Sequence, residues 1–245
     1  MCVIIVPTER HPDTEELATA EEQNPHGGGI AWKDKNNKLN YEKAIKASRV
    51  MEIIEEENPQ LPYVIHFRIA SVGAVCHKLT HPFPVNQSVS LKKIWQGKSP
   101  LLFHNGTWRD WKSSVMPFSG VRDFPKGSIE DWSDSRALAY LAYKTNRGIF
   151  NFIDEKVAIL EKDGNVNMWG NWTKLDTIWY SNTHHVKTHT YGIGYNRGIT
   201  SAWTTPAPTR QTCIYDDTVD YDGGYDHDHN QWARQQMLDG MDGAV

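Results

Sequence analysis

Short apolar segments alternate along the chain with polar stretches that contain glycine and proline. Apolar runs rich in β-branched and aromatic residues predict strands at 2–6, 30–32, 63–70, 101–104, 157–160, 166–169 and 177–181. Segments of helix-forming residues bounded by capping or stop signals predict helices at 13–24, 48–57 and 131–144. The strands come in groups and do not alternate regularly with helices, which predicts an α+β layered domain with antiparallel sheets.

The last forty residues differ in composition from the rest of the chain. Residues 206–245 include two basic and eight acidic residues, a net charge of −6 in a chain whose total is −4. Asp, Tyr and Gly dominate and aliphatic residues are few, which is typical of a segment that builds no core. We therefore predict one domain at 2–205 and a mobile or extended acidic tail at 206–245.

Overall composition narrows the function classes. The formal charge of −4 and the isoelectric point near 6.2 give no general affinity for nucleic acid or anionic lipid. The first apolar run, Val3 to Val6, is too short for a signal peptide or a membrane span, so a cytoplasmic location is expected. The cysteines at 2, 76 and 213 show no CxxC spacing and predict neither a disulfide framework nor a thiolate zinc site.

The position of Cys2 directly after Met1 is a candidate for chemistry. A residue this small permits removal of the initiator methionine, which leaves a thiol and a free α-amino group on one residue. That amine has an ordinary pKa of about 7.7 to 8.0 and can accept the thiol proton near cellular pH. Many cysteines at this position have no such role, so further sequence features are needed to support a catalytic one.

Three further positions have both a catalytic and a structural interpretation. Asn105-Gly106 ends an apolar strand and offers either the two donors of an oxyanion hole or a type I′ turn. Arg68 ends another strand, where it would bind a substrate carboxylate or form a structural ion pair. Asp134 opens a helix, where it would bind a substrate ammonium group or cap the helix.

A metal site is a weaker hypothesis. Imidazole and carboxylate groups at His184, His185, His189 and residues 226–229 suit divalent ions. Their spacing matches no structural metal site, and no metal is predicted.

Taken together and in order, these stretches resemble the class II glutamine amidotransferase domain of the N-terminal-nucleophile hydrolases. The matching stretches are Met1-Cys2, His26-Gly27-Gly28-Gly29-Ile30-Ala31-Trp32, His66-Phe67-Arg68-Ile69-Ala70-Ser71-Val72-Gly73, His81-Pro82-Phe83, His104-Asn105-Gly106-Thr107 and Ser133-Asp134-Ser135. They cover the chain from residue 2 to about residue 195. Each stretch is short, and the specificity of the resemblance comes from the set.

The resemblance implies a fold and a set of roles. The fold is a four-layer αββα sandwich of two antiparallel sheets, with the nucleophile at the end of a central strand. Cys2 would be the nucleophile, its amino group the base, and the Asn105 side chain with the Gly106 N–H the oxyanion hole. Arg68 would bind the α-carboxylate of glutamine and Asp134 its α-amino group. No cofactor is implied.

Departures from the family's pattern bear on the substrate. Val3 stands where glycine is common, and Ile69 and Val72 replace the family's Trp and His in the stretch after Arg68. Ser71 keeps a hydroxyl and is predicted to contact substrate. Glutamine is the expected substrate, and another γ-glutamyl amide or peptide, split by a stand-alone hydrolase, is the alternative.

The possible partners differ with the function. Family members usually pass ammonia to a synthase domain, for which this chain leaves no room, so the acceptor is expected to be a separate enzyme. A non-catalytic module that senses glutamine or scaffolds a complex is the alternative from another class. Neither nucleic acid nor membrane is expected as a partner.

Overall fold

The computed structural model describes residues 2–70, 75–122, 124, 125, 127 and 129–186. Within these ranges the elements are β1 (Val3–Pro7), α1 (Thr14–Gln23), β2 (Gly28–Lys33), β3 (Leu39–Ile45), α2 (Ala47–Glu57), β4 (Val64–Phe67), β5 (Phe83–Pro84), β6 (Ile94–Gly97), β7 (Leu101–Asn105), α3 (Trp111–Val115), α4 (Asp134–Lys144), β8 (Lys156–Leu160), β9 (Val166–Trp169), β10 (Thr173–Leu175) and β11 (Ile178–Tyr180). Short 3₁₀ turns lie between several of them.

The strands form two sheets in which every described pairing is antiparallel. The larger sheet has the order β10-β11-β1-β4-β2-β3-β6, and the smaller one the order β5-β7-β8-β9. The first strand of the chain is therefore an interior strand of the larger sheet, paired with β4 on one side and β11 on the other.

Side chains that alternate along each strand divide the core into three apolar layers. On β1, Val3 and Ile5 pack against α1 and α2, whereas Ile4 and Val6 face the other sheet. On β7, Leu102 packs toward α4, whereas Leu101 and Phe103 meet the residues of the larger sheet. Helices thus cover the outer face of each sheet, and the predicted four-layer αββα arrangement is confirmed.

The helices form where the sequence supplies caps and an apolar face. Asp13 and Glu16 form a reciprocal capping box at the start of α1. Along α2 the buried Val50, Ile53 and Ile54 recur at helical spacing and meet the larger sheet. Asn58 ends α2 in the left-handed region, with φ of 44°.

Helix α4 starts later than the sequence pattern indicates. The prediction placed its start at Asp131, but Ile129–Asp131 forms a 3₁₀ turn and α4 begins at Asp134. The Ser133 hydroxyl accepts the N–H of Arg136, so Ser133 is the cap and Asp134 is the first helical residue. The carboxylate of Asp134 is therefore placed at the positive end of the helix.

Among the described residues, no helix has the length and apolar character needed to cross a bilayer. The acidic tail predicted at 206–245 lies outside the described residues.

Candidate active site

Cys2 leads directly into the interior strand β1. The strand after it is buried, while Cys2 itself is partly exposed at the strand's end. Its thiol donates to the carbonyl oxygen of Ile69 over 3.4 Å, and the backbone N–H of Ile69 points at the sulfur over 3.4 Å. The sulfur is thus held beside the segment that follows β4.

The surroundings of Cys2 favour the neutral thiol. Burial raises the pKa of the Cys2 thiol, and the Ile69 hydrogen bond and the positive charge of Arg68 offset only part of that rise. The carboxylate of Asp134 raises the same pKa through space. A thiol that is protonated at rest needs a base before it can attack.

Arg68 is held at the end of β4 by its backbone. Its N–H donates to the carbonyl of Gly27, and its own carbonyl accepts the N–H of His26, each over 2.9 Å. The imidazole of His26 accepts the N–H of Ala70 over 2.9 Å, and burial, followed by the charge of Arg68, lowers its pKa. His26 is therefore a neutral acceptor that shapes the segment around Arg68.

The glycines of this region make room for neighbouring groups. A Cβ atom on Gly29 would lie 2.0 Å from the carbonyl oxygen of His81, and one on Gly28 would lie 2.8 Å from the Phe67 ring. The carbonyl oxygen of His81 belongs to the backbone and cannot move aside as a flexible side chain could. The His26-to-Trp32 stretch therefore requires glycine for close packing beside Arg68.

Asn105 is the last residue of β7 and its side chain is buried at 5% exposure. Its amide Nδ2 donates to the hydroxyl of Ser181 over 2.8 Å. Neither Asn105 nor Gly106 has a positive φ, whereas a type I′ turn requires one at both central positions. The turn interpretation of this dipeptide is therefore wrong, and the amide is directed into the space between the sheets.

Asp134 presents its carboxylate at the start of α4. One oxygen accepts the backbone N–H of Ser135 over 2.8 Å, and the other accepts that of Trp108 over 3.2 Å. These bonds fix the carboxylate's orientation. The same negative charge raises the pKa of the Cys2 thiol.

Glu155 is a neighbour of this site that the sequence pattern did not reveal. A Cβ atom on Gly106 would lie 1.5 Å from a carboxylate oxygen of Glu155 and 3.0 Å from Nε2 of His104. The other ring nitrogen of His104 lies 3.0 Å from the Ser135 hydroxyl. Burial lowers the pKa of His104, while the carboxylates of Asp134 and Glu155 raise it.

Two further histidines lie deep between the sheets. The rings of His66 and His81 are 4.1 Å apart, centroid to centroid, and both residues are buried. Burial lowers the pKa of His66 to about 3 and that of His81 well below its usual value. Both imidazoles are neutral at physiological pH and pack the interior beneath Arg68.

Not every predicted site residue can be placed. Ser71 lies outside the described residues, as do Cys213, His189 and residues 226–229. Within the described part of the chain, no group of three or more His, Cys, Asp and Glu side chains is arranged to hold a metal ion. His184 and His185 are described; the first is exposed and the second is buried.

Comparisons with other proteins find a likeness at the level of structure alone. No family model and no curated protein matches the sequence. Among solved structures, the chain is similar to the glutamine phosphoribosylpyrophosphate amidotransferase from B. subtilis, solved in complex with ADP and GMP. The two share 14% identity with a TM-score of 0.46, over 74% of this chain and 41% of that chain. The chain thus spans about two fifths of the length of that enzyme.

Proposed function

We propose that this chain is an amidohydrolase of the N-terminal-nucleophile type that splits the side-chain amide of glutamine. The observation that carries the proposal is the placement of Cys2. Its thiol lies at the end of an interior strand, held against Ile69 and within electrostatic reach of Arg68 and Asp134. A cation and an anion whose charges both act on the nucleophile suit a substrate that carries both a carboxylate and an ammonium group.

The Cys2 thiol needs a base to accept its proton, and the α-amino group of Cys2 is the candidate. Burial keeps the Cys2 thiol protonated, and the described histidines nearby are neutral acceptors or buried packing groups. Removal of Met1 would give Cys2 a free α-amino group whose ordinary pKa is about 7.7 to 8.0. One residue then supplies the nucleophile and the base.

The proposed reaction is acyl transfer in two steps. The Cys2 sulfur bonds to the side-chain carbonyl carbon of glutamine, and its proton passes through the α-amino group to the departing ammonia. Water then attacks the γ-glutamyl thioester, which breaks the carbon–sulfur bond, releases glutamate and returns the proton to sulfur. Asn105 and the Gly106 N–H would bind the oxyanion in both steps.

Arg68 and Asp134 would bind the two ends of the amino acid. The guanidinium would pair with the α-carboxylate, and the carboxylate on α4 would pair with the α-ammonium. Ser71 stays a predicted substrate contact. Ammonia would pass to a separate acceptor enzyme, and a cytoplasmic location stays a prediction that cell fractionation can check.

The test is glutamate release from glutamine by untagged protein whose loss of Met1 is confirmed by mass spectrometry. A matched sample carries an N-terminal extension that blocks the amine, and a Cys2→Ser variant removes the thiol. We expect release by the processed protein alone. Equal release by the extended protein would refute the terminal amine as base, and release by Cys2→Ser at the wild-type rate would refute the nucleophile.

The same assay separates the alternatives. γ-Glutamyl peptides and amides offered beside glutamine identify a stand-alone hydrolase if they are preferred. Tight glutamine binding by calorimetry without any turnover would instead indicate a sensing module. Stimulation of glutamine hydrolysis by a co-purifying synthase would identify the ammonia acceptor.

A further inference from the structure

Two residues directly after β11, Ser181 and Asn182, connect the groups that the proposed reaction needs. Ser181 is 1% exposed and Asn182 is 8% exposed. Neither belongs to a stretch that carried the family resemblance. They extend the β11–β1 pairing, in which Ile5 lies opposite Tyr180, toward the end of β1 where Cys2 is found.

Ser181 fixes the backbone of β1 with both its main chain and its side chain. The N–H of Ser181 donates to the carbonyl of Ile4 over 3.0 Å, and the N–H of Ile4 donates to the Ser181 hydroxyl over 2.8 Å. Both bonds are shielded from water because the residues are buried. The strand is therefore held two residues after the nucleophile.

Asn182 holds Cys2 itself. Its side-chain Nδ2 donates to the carbonyl oxygen of Cys2, and its Oδ1 accepts the N–H of His184 over 3.2 Å. The amide is thus held at both ends. Because the carbonyl and the side chain of Cys2 leave the same Cα, fixing the carbonyl helps to fix the Cα–Cβ bond, from which the χ1 rotamers place the sulfur.

The hydroxyl of Ser181 also holds the proposed oxyanion donor. It accepts from Nδ2 of Asn105 over 2.8 Å, and it still has a hydrogen to donate. With the amide turned by 180°, the hydroxyl would donate to Oδ1 and leave Nδ2 for the substrate. The carbonyl of Ser181 accepts in addition from the ammonium of Lys156 on β8. Residues of both sheets therefore meet at Ser181.

We propose that Ser181 and Asn182 are positioning residues that fix the Cys2 main chain and the Asn105 amide relative to each other. The inference rests on the proposed amidohydrolase function and adds two residues to its machinery. Neither residue is a catalytic group: Ser181 acts through Asn105 and β1, and Asn182 acts through Cys2.

The expected signature of Ser181→Ala is a lower kcat with little change in KM. A displacement of about 1 Å in a catalytic group costs up to about 100-fold in rate, so we expect kcat to fall by about 10- to 100-fold. Substrate binding through Arg68 and Asp134 would be retained, so KM should stay within about twofold. Ser181→Thr keeps the hydroxyl and should restore much of the loss.

A double-variant cycle separates positioning from a general structural defect. Because Ser181 is proposed to act partly through the Asn105 amide, Ser181→Ala should lower kcat by a clearly smaller factor in an Asn105→Ala background than in the wild type. A purely structural role predicts the full loss again in that background. Asn182→Leu, of similar size but without the donor, tests Cys2 in the same way and should also lower kcat with KM unchanged.

Thr177→Val is the matched control. The Thr177 hydroxyl oxygen is buried just before β11 and bonds to none of the described residues. Its removal should leave kcat and KM at the wild-type values. Thermal unfolding of each variant verifies that it is folded.

Hydrogen exchange of the Ile4 amide, followed by NMR, tests the hydrogen bond from the Ile4 N–H to the Ser181 hydroxyl without any assay of activity. Loss of the hydroxyl acceptor in Ser181→Ala should speed this exchange by about tenfold, and Thr177→Val should not. Unchanged Ile4 exchange, wild-type kcat in Ser181→Ala and Asn182→Leu, or full additivity with Asn105→Ala would overturn the inference. An inactive processed wild type is a different result, which refutes the proposed function and, with it, any role in that reaction.

Discussion

The sulfur of Cys2 lies 3.4 Å from both the backbone nitrogen and the carbonyl oxygen of Ile69. The carbonyl accepts only from the neutral thiol, whereas the N–H stabilises the thiolate. A single peptide segment thus holds the sulfur in either protonation state. Burial raises the pKa of the thiol; the Ile69 hydrogen bond and the charges of Arg68 and the N-terminus lower it, and the charge of Asp134 raises it.

Opposite shifts of the Cys2 pKa are the first prediction. Arg68 lowers this pKa, so Arg68→Gln should raise it and slow alkylation of Cys2 at a fixed pH. Asp134 raises the pKa, so Asp134→Asn should lower it and speed alkylation. Iodoacetamide labelling between pH 7 and 10, read peptide by peptide by mass spectrometry, measures both shifts. The buried Cys76 in the same samples is the internal reference, and shifts of the same sign in the two variants would contradict the charge assignments.

Loss of the Asn105 amide is the second prediction. Removal of one oxyanion donor lowers kcat by about 100- to 1,000-fold, so Asn105→Ala should reduce glutamate release to that extent. The lost bond to Ser181 should lower the free energy of unfolding by about 1 kcal/mol, so the variant stays folded. Steady-state kinetics and urea unfolding check the two parts. Asn167→Ala, on the exposed side of β9 in the same sheet, is the control, and near-wild-type turnover by Asn105→Ala would remove Asn105 from the mechanism.

Weaker substrate binding is the third prediction. Arg68→Lys keeps the positive charge but loses the planar pair of donors that matches a carboxylate. We expect KM for glutamine to rise by about tenfold or more, since a hydrogen bond to a charged group contributes about 1.5 to 3 kcal/mol. Arg49→Lys, at an exposed ion pair on α2, is the control and should leave KM unchanged. An unaltered KM in Arg68→Lys would mean that Arg68 does not bind the substrate.

Acid sensitivity of the fold is the fourth prediction. His66 has its pKa lowered from 6.5 to about 3 in the folded protein, mainly by burial. Below pH 6.5 the unfolded chain therefore takes up a proton that the folded protein does not, so the free energy of unfolding falls as the pH falls from about 6.5 toward 3. The buried imidazole should contribute roughly 1 kcal/mol per pH unit to this slope.

His66→Leu tests the contribution, because leucine fills a similar volume and does not titrate. The slope of unfolding free energy against pH, from urea unfolding at several values between 6.5 and 4, should be smaller in this variant. Above pH 7 the two curves should run parallel. An identical slope in variant and wild type would show that His66 is protonated without cost in the folded state.

Much of the architecture could be predicted because the relevant signals are local. The helices predicted at 13–24 and 48–57 and the paired strands predicted at 157–160 and 166–169 each follow from neighbouring residues, and all are present in the structure. Strand β10 is exposed along its length, and β6 alternates between exposed and half-buried residues. They carry no alternating apolar pattern, so periodicity could not reveal them.

The candidate site was predictable only where a motif marked it. Arg68, Asn105 and Asp134 stand in stretches that resemble the family, whereas Ser181 and Glu155 do not. These two residues are distant from the site in sequence and reach it only in the folded protein, through tertiary contacts. The exclusion of a type I′ turn at Asn105-Gly106 also needed backbone angles, which the dipeptide alone does not supply.

The interior position of β1 imposes an order on folding during synthesis. Val3 pairs with Phe67 on one side and Ile5 with Tyr180 on the other, so β1 obtains its second neighbour only after residue 180 has been synthesised. Such sequence-distant pairing slows folding. One edge of the segment that carries Cys2 therefore stays unpaired until β11 has been synthesised. Any chaperone that assists folding of this protein should be needed most before residues 178–182 leave the ribosome.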